Sequence, residues 1–284
     1  MGRRMLVCDI DGTLVDESLE VDERDRAAVA RAQAAGTLVG LATGRMYQSA
    51  LPFAERLDVA LPLICYQGAV IRDRPRPGDP VNPVTGGRLG RLRFERGLGP
   101  EVAAELLALA RRRGWTCNVY QDDALLVEAE TAAVRYYTRI ARVPVTVVDD
   151  LDARIGRGTT KLVMVVPDLD RFPGVMAEVA DRVGRRAEVT RSYPGFCEVT
   201  AAGVDKGAAL AWVASDVGVA MTDVVAVGDA PNDLAMLVAA GTRVAVRTAA
   251  TEVVRAADWT TGAPGEGGIA AVIDRCRLDH DAAA

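Results

Sequence analysis

The hydrophobic pattern opens on Met5-Leu6-Val7-Cys8, an apolar run that stops abruptly at Asp9-Ile10-Asp11-Gly12. A short apolar run bounded by a turn signal predicts a buried strand. Asp22 to Ala35 then reads as a helix, with Asp22 as N-cap and Gly36 just past its end. Thr37 to Ala42 is a second apolar strand, closing on Thr43-Gly44-Arg45. Strand, helix, strand with short links make a βαβ unit, so the two strands are parallel with adjacent carboxyl ends. That places Thr43 beside Asp9. Tyr47 to Leu57 predicts a helix and Leu63 to Tyr66 a third strand, followed by a tight turn at Gln67-Gly68 and the apolar Ala69-Val70-Ile71.

Arg74 to Gly90 is dense in proline and glycine and can hold no regular interior element, so Asp73 to Arg91 reads as a boundary zone. Beyond it the pattern alternates. Helices are predicted over Pro100–Arg113, Thr131–Ala141 and Leu169–Val183. Hairpin strands Trp115–Tyr120 and Ala124–Glu128 flank Gln121-Asp122-Asp123, Thr160–Val166 is a further strand, and Ala187–Ser192 and Phe196–Thr200 flank Tyr193-Pro194-Gly195. Gly203-Val204-Asp205-Lys206-Gly207 opens a helix running to Val217. Asp223–Val227 is a strand ending in Gly228-Asp229-Ala230-Pro231-Asn232-Asp233. A helix over Leu234–Ala239, a strand over Arg243–Val246, a helix over Thr251–Ala256, a short strand at Trp259 and a helix over Ile269–Arg275 follow, and the tail after Cys276 reads as disordered.

The pattern predicts an α/β protein, and composition narrows its chemistry. Half of the 284 residues are hydrophobic, enough for one large domain or two. No apolar run approaches the ~20 residues that cross a membrane. The first strand begins within a few residues of Met1 and bears Asp9, so a cleavable leader is not expected and the chain reads as cytoplasmic. The five cysteines are scattered without a C-x-x-C pair and read as reduced thiols. The single histidine, His280, lies in the polar tail, so any metal must be held by oxygen ligands. A net charge of −5 and few aromatics argue against nucleic acid as the partner. Oligomeric state is open.

Three features carry chemistry. Asp9 and Asp11 stand at the carboxyl end of a buried strand, where open α/β sheets bind ligands. Carboxylates so close repel unless a cation or a shared proton intervenes, which points to a metal, to acid–base chemistry, or to both. A calcium loop starting at Asp9 is discarded, because its sixth position is Leu14 where a glycine is needed. Lys206 at a helix N-terminus opposes the helix dipole, so it is not there for helix stability. Asp229 and Asp233 again put carboxylates at a strand end. A dinucleotide-binding oxidoreductase would need G-x-G-x-x-G after the first strand, where Asp9-Ile10-Asp11 stands instead.

D-I-D-G-T-L-V (residues 9–15) resembles the first motif of the haloacid dehalogenase superfamily in its phosphatase form, D-x-D-G-T. Thr43-Gly44-Arg45 resembles the second motif, Lys206 the third, and G-D-A-P-N-D (228–233) the fourth. Four motifs in family order, each at a strand end or helix start, extend the resemblance over residues 5 to 275. The family implies a Rossmann-like, doubly wound parallel core with a smaller α/β cap, here of the Cof type, inserted between the second and third motifs. Residues 1–83 and 191–284 are then the discontinuous core and 84–190 the cap. The resemblance also implies roles: Asp9 the nucleophile, Asp11 the general acid/base, and Thr43, Gly44, Gly12 and Lys206 the phosphate-binding set. Asp9, Asp229 and the main-chain carbonyl of Asp11 would hold Mg²⁺, with Asn232 and Asp233 orienting Lys206 and the metal waters.

The function so implied is Mg²⁺-dependent hydrolysis of a small phosphomonoester, such as a sugar phosphate, through an aspartyl-phosphate. A phosphomutase or phosphoryl transferase on the same fold, and a non-catalytic phosphate-ligand binding protein, are the alternatives. The Cof-type group often has Asn-Gly where this chain has Gln67-Gly68, which puts any substrate contact by that side chain in doubt. Gln67, Tyr120, Lys161, Arg191 and Tyr193 are the candidates for substrate contact, although Lys161 taken alone reads as a surface lysine.

Overall fold

A computed structural model describes residues 3–155 and 159–280. The first strand, β1 (Met5–Cys8), is buried along its whole length. It leads through helix α1 (Glu23–Ala34) to β2 (Leu38–Leu41). As expected, Asp22 caps α1, its carboxylate accepting the Arg24 amide at 2.8 Å. Helix α2 (Tyr47–Arg56) and β3 (Leu63–Cys65) follow, then β4 (Val70–Arg72) and β5 (Leu92–Glu95). Next come α3 (Pro100–Arg113), β6 (Thr116–Gln121), β7 (Ala124–Val127), α4 (Ala132–Ala141), β8 (Val145–Val147) and α5 (Leu151–Ile155). The chain continues through β9 (Lys161–Val165), α6 (Phe172–Val183), β10 (Ala187–Tyr193), β11 (Phe196–Ala201) and α7 (Lys206–Asp216). It ends with β12 (Val224–Gly228), α8 (Leu234–Ala239), β13 (Thr242–Val246), α9 (Thr251–Ala256), β14 (Trp259–Thr261) and α10 (Gly268–Arg275).

Five parallel strands form one sheet in the order β14-β13-β12-β1-β2. From β1 the chain winds towards β2, and from β12 it winds the other way. Right-handed crossovers leaving in opposite directions put their helices on opposite faces, so α1 covers one face and α8 the other. Helix α10 packs on α1 and α7 on α8. The winding reverses between β1 and β12, which is where such sheets bind ligands. Strand β3 meets the edge of this sheet through a parallel bridge between Ala42 and Ile64, and heads an antiparallel ribbon with β4 and β5.

The second sheet has six strands in the order β10-β11-β9-β6-β7-β8. Alternation along each strand sorts its two faces. Leu162, Met164, Cys117, Val119 and Cys197 pack on α3 and α6 in a core of their own. Lys161, Val163, Tyr120, Phe196 and Glu198 point the other way, towards the parallel sheet and α4. The sheet runs on to Ala201, so β10 straddles residue 190, where the expected division falls, and β11 stands beyond it. Strand β8 and helix α5 were not expected. At three and five residues, with β8 half-exposed, they are too short to carry a period.

The tail differs from expectation. Residues 276–280 pack on the core: Leu278 is buried, its carbonyl accepts the Thr37 hydroxyl at 2.6 Å, and Arg4 donates to the carbonyl of Cys276 at 3.0 Å. Residues 281–284 lie outside the described residues. Four of the five free cysteines are buried, and Cys276 is half-buried. No helix among the described residues is long and apolar enough to cross a membrane.

The tip of the β6–β7 hairpin joins the sheets. Helix α2 has no side-chain cap of its own; Asp123 supplies one from the hairpin, accepting the amides of Tyr47 and Gln48 at 2.8 and 3.0 Å and the Tyr66 hydroxyl at 2.7 Å. Burial nevertheless pushes its carboxyl up to about 6, against the pull of those bonds. The folded protein therefore holds this proton to a higher pH than the unfolded chain. The stability the group confers is greatest below its ordinary range and is lost as pH rises through 6. Relative to Asp123→Asn, which does not titrate, the natural chain should lose about 2 kcal/mol between pH 4 and pH 7. Urea denaturation of both proteins at the two pH values measures this, and a pH-independent gap would refute it.

Candidate active site

Register brings the sequence-distant motifs together. Cys8 pairs with Leu41 on one side and Val227 on the other, so Asp9, Thr43 and Asp229 all emerge within two residues of the same level of the sheet. Asp9 is almost wholly buried, its amide donating to the Val227 carbonyl at 3.0 Å. Lys206, fully buried at the start of α7, donates to Asp9 Oδ1 at 2.6 Å and to Asp233 Oδ1 at 2.7 Å. The other oxygen of Asp233 accepts the amides of Asp229 and Ala230 at 3.0 and 3.1 Å. Asp229 Oδ1 accepts the Thr13 hydroxyl at 2.8 Å. Thr43 Oγ1 accepts the Arg45 amide at 3.1 Å, which leaves its O–H free to donate into the site.

Two glycines are required by space. Gly12 has φ +83°, and a Cβ there would stand 2.4 Å from Asp229 Oδ2. Its amide donates to the Val15 carbonyl at 2.8 Å, so its contribution to the site is room. A Cβ on Gly44 would stand 2.4 Å from Gln67 Nε2.

Carboxylate oxygens of Asp9, Asp229 and Asp233 lie within 4.8 Å of one another. Burial is the main reason that Asp9 is held well above the usual carboxylate range, and the neighbouring Asp233 and Asp229 add to it against the pull of Lys206. Asp229 is pushed up to about 7, again by burial first and Asp233 second. Lys206 is held above its ordinary value because Asp233 and Asp9 outweigh its burial. Three acids thus crowd one ammonium, and the excess negative charge fits a divalent cation on oxygen ligands. The Asp11 side chain is not in this cluster; it is exposed and paired with Arg45, whose Nε donates at 2.7 Å. Arg45 is anchored in turn on Ser49 Oγ at 2.9 Å, with its guanidinium 5.1 Å from the Phe53 ring centre. Sequence reasoning gave Arg45 no role. The sole signal was its place as the third residue of T-G-R.

The wall facing these loops corrects the reading of Lys161. It is not a surface lysine: 2% exposed, it donates to the Gly44 carbonyl at 2.8 Å and to Glu198 Oε1 at 3.0 Å. It also stands 4.9 Å from the Tyr120 ring centre. Glu198, which the sequence reading missed, accepts Ser192 Oγ at 2.7 Å and Gln67 Nε2 at 2.8 Å as well. A charged residue inside a buried strand run was the available signal. Gln67 Oε1 accepts Asn232 Nδ2 at 2.9 Å. Asn232 therefore bonds to Gln67, and Asp233 is the residue that holds Lys206. The Tyr66-Gln67 turn has left-handed backbone at both residues (φ 53° and 61°) and is pinned to Arg45 and Thr43 by amide–carbonyl bonds of 3.0 and 3.1 Å. Such strain persists only where surroundings over-determine it. Of the five candidates for substrate contact, Tyr120, Lys161, Arg191 and Tyr193 line the cleft of about 1120 Å³ above Asp9, and Gln67 lies behind its floor.

The chain matches the profile of a family described as haloacid dehalogenase-like hydrolase over residues 6–273. It is 26% identical to the 5-amino-6-(5-phospho-D-ribitylamino)uracil phosphatase YwtE of Bacillus subtilis, covering 96% of this chain and 97% of that protein. It is 27% identical to the pyridoxal phosphate phosphatase YbhA of Escherichia coli, covering 88% and 89%. The fold superposes on the crystal structure of TM0651 from Thermotoga maritima with a TM-score of 0.81 at 28% identity, covering 96% and 97%. With the four motifs gathered at one rim of the parallel sheet, the chain belongs to the haloacid dehalogenase-like hydrolase family, within its Cof-type phosphatases.

Proposed function

We propose that the protein is a Mg²⁺-dependent phosphomonoesterase that works through an aspartyl-phosphate on Asp9. The observation that carries this reading is the buried Asp9–Lys206–Asp233 arrangement, with Asp229 beside it at the winding reversal. A phosphate ester and an attacking carboxylate are both anions, so attack needs positive charge around the reacting oxygens. Lys206 supplies one fixed cation, oriented by Asp233. Asp9 and Asp229 would hold Mg²⁺ with the Asp11 carbonyl, and the ion would offset charge on the phosphoryl oxygens when bound. The free Thr43 O–H donates to one phosphoryl oxygen, while Gly12 leaves room for the Asp229 carboxylate and Gly44 for Gln67.

Asp9 attacks phosphorus, and the ester oxygen departs with a proton from Asp11. Asp11 then accepts a proton from the water that cleaves the aspartyl-phosphate, restoring both groups. Its exposed position at the cleft edge suits this traffic with solvent. The substrate is a small phosphorylated metabolite, the class named for the relatives. Both of the relatives described carry names that specify a phosphate attached to a heterocycle-bearing compound. We also propose a division into two units, the parallel sheet with its helices and the six-stranded sheet with α3 to α6.

The test is metal dependence. Chelator-treated protein should release no phosphate from p-nitrophenyl phosphate until Mg²⁺ is added. Protons and Mg²⁺ compete for Asp9 and Asp229, whose carboxyls burial has raised. Saturating Mg²⁺ should therefore raise Tm by a few degrees, roughly 2–4 °C, at pH 8 and by less at pH 5. Turnover that survives chelation, or a Tm that ignores Mg²⁺ at both pH values, would remove the metal from this reading.

A further inference from the structure

The wall of the cleft opposite Asp9 is built of rings. The chain has only six tyrosines and four phenylalanines, yet Tyr120, Tyr136, Tyr137, Tyr193 and Phe196 all line this one cleft. Tyr120 and Tyr137 are buried and share a hydroxyl–hydroxyl bond of 2.7 Å, so they are structural. Tyr193 differs. It sits at the β10–β11 turn, 37% exposed, its ring centre 5.1 Å from Phe196, which in turn lies 6.0 Å from Tyr136. A large ring is thus held open to the cleft by rings behind it. A lone exposed tyrosine is ordinary; one backed by two further rings at the mouth of a catalytic cleft is a surface made for stacking.

The polar groups of the same wall agree. Arg139 and Arg191 line the cleft and have no carboxylate partner among the described residues. Among the described residues the only acid this sheet sends to the cleft is Glu198, and its oxygens are already taken by Lys161, Ser192 and Gln67; Asp16 and Glu17 line the cleft from the loop after β1. A polyol needs hydrogen-bond acceptors for its hydroxyls. Beyond the hydroxyls of Ser192 and the tyrosines, this wall offers π faces and guanidinium donors, with the Arg139 guanidinium 5.9 Å from the Tyr136 ring centre. The volume of about 1120 Å³ also exceeds the ~300–1000 Å³ common for small-ligand pockets.

We propose that Tyr193, Tyr136 and Phe196 with Arg139 and Arg191 form a ring-binding subsite, and that the substrate is a phosphomonoester whose far end is a planar heteroaromatic ring bearing carbonyl or anionic groups. The ring stacks on Tyr193 and turns its acceptor edge to the arginines. This rests on the phosphatase reading for the other end of the molecule and names a substrate class different from the sugar phosphate expected from the sequence.

The probes are FMN, which carries a ring of this kind, glucose 6-phosphate and glycerol 3-phosphate. With Mg²⁺, kcat/KM for FMN should exceed that for either ringless ester by about tenfold or more. Tyr193→Ala should shrink that preference about tenfold through the KM for FMN, whereas Tyr193→Phe should keep it. Flavin fluorescence, read in the Asp9→Asn background where turnover is blocked, should be quenched on binding and recover when Tyr193→Ala is added. The subsite is refuted if glucose 6-phosphate is turned over as well as FMN, or if Tyr193→Ala lowers all three esters alike. Tyr193-dependent quenching without hydrolysis of any ester would keep the subsite and overturn the phosphatase reading. Hydrolysis with neither ring preference nor quenching would do the reverse, and absence of both would overturn both.

Discussion

Asp9→Asn should abolish turnover, lowering kcat by about 10⁴-fold or more, while the protein keeps its fold. The amide is isosteric with the carboxylate but cannot supply the attacking oxyanion. Stability should not suffer, for a reason visible in the site. Burial and two neighbouring acids already hold the Asp9 carboxyl well above its usual range, so its charge costs the metal-free fold energy that Lys206 only partly offsets. Removing that charge relieves the crowding, and the Asn Oδ1 can still accept from Lys206 Nζ. The metal-free variant should melt at or above the natural protein's Tm. Phosphate release from p-nitrophenyl phosphate and a thermal melt on the same preparation decide it. A kcat within tenfold of the natural enzyme would end the role of Asp9 as nucleophile.

Glu198→Leu should cost about 3–5 kcal/mol of stability, the range for breaking a buried ion pair by removing one partner. Lys161 and Glu198 have side chains that are 2% and 4% exposed, and no other carboxylate is paired with Lys161 among the described residues. The Gly44 carbonyl and the Tyr120 face would remain, but neither carries a full charge. Gln67 and Ser192 would lose an acceptor as well. Lys161→Met together with Glu198→Leu removes both charges and should recover most of the loss, since well-packed apolar replacements of buried pairs are often near neutral. Urea denaturation of the single and double variants measures this. A single variant within about 1 kcal/mol of the natural chain, or a double variant no better than the single, would show that the buried pair does not contribute to stability as an ion pair.

Much of the site was legible because strand ends are local events. The run Met5–Cys8 stops at Asp9 and the run Val224–Val227 at Gly228-Asp229, and the βαβ rule placed Thr43 beside Asp9 without any coordinates. The element pattern was equally readable where burial is one-sided and long, as over α1, α3 and α7. It failed over Val145–Val147 and Leu151–Ile155, which are too short to show a period. It failed again over residues 276–280, whose one anchor, Leu278, sits in a polar stretch and is buried only because α1 and the β2 entry provide a place for it.

By itself the sequence determined which residues are acidic at strand ends, in what order they come, and hence the family and the location of the chemistry. These depend on patterns within a few residues of each chain position. Only the tertiary structure decided what polar residues inside strands do. Lys161 and Glu198 look like surface charges until the pleat turns both to the same face and register sets them 3.0 Å apart. The same holds for Asp123, a hairpin residue by sequence and the cap of α2 in space, and for Arg45, whose partner Asp11 comes from another loop. A side chain's role here is set by the dielectric and the charges around it, and those are contributed by segments that only folding brings together.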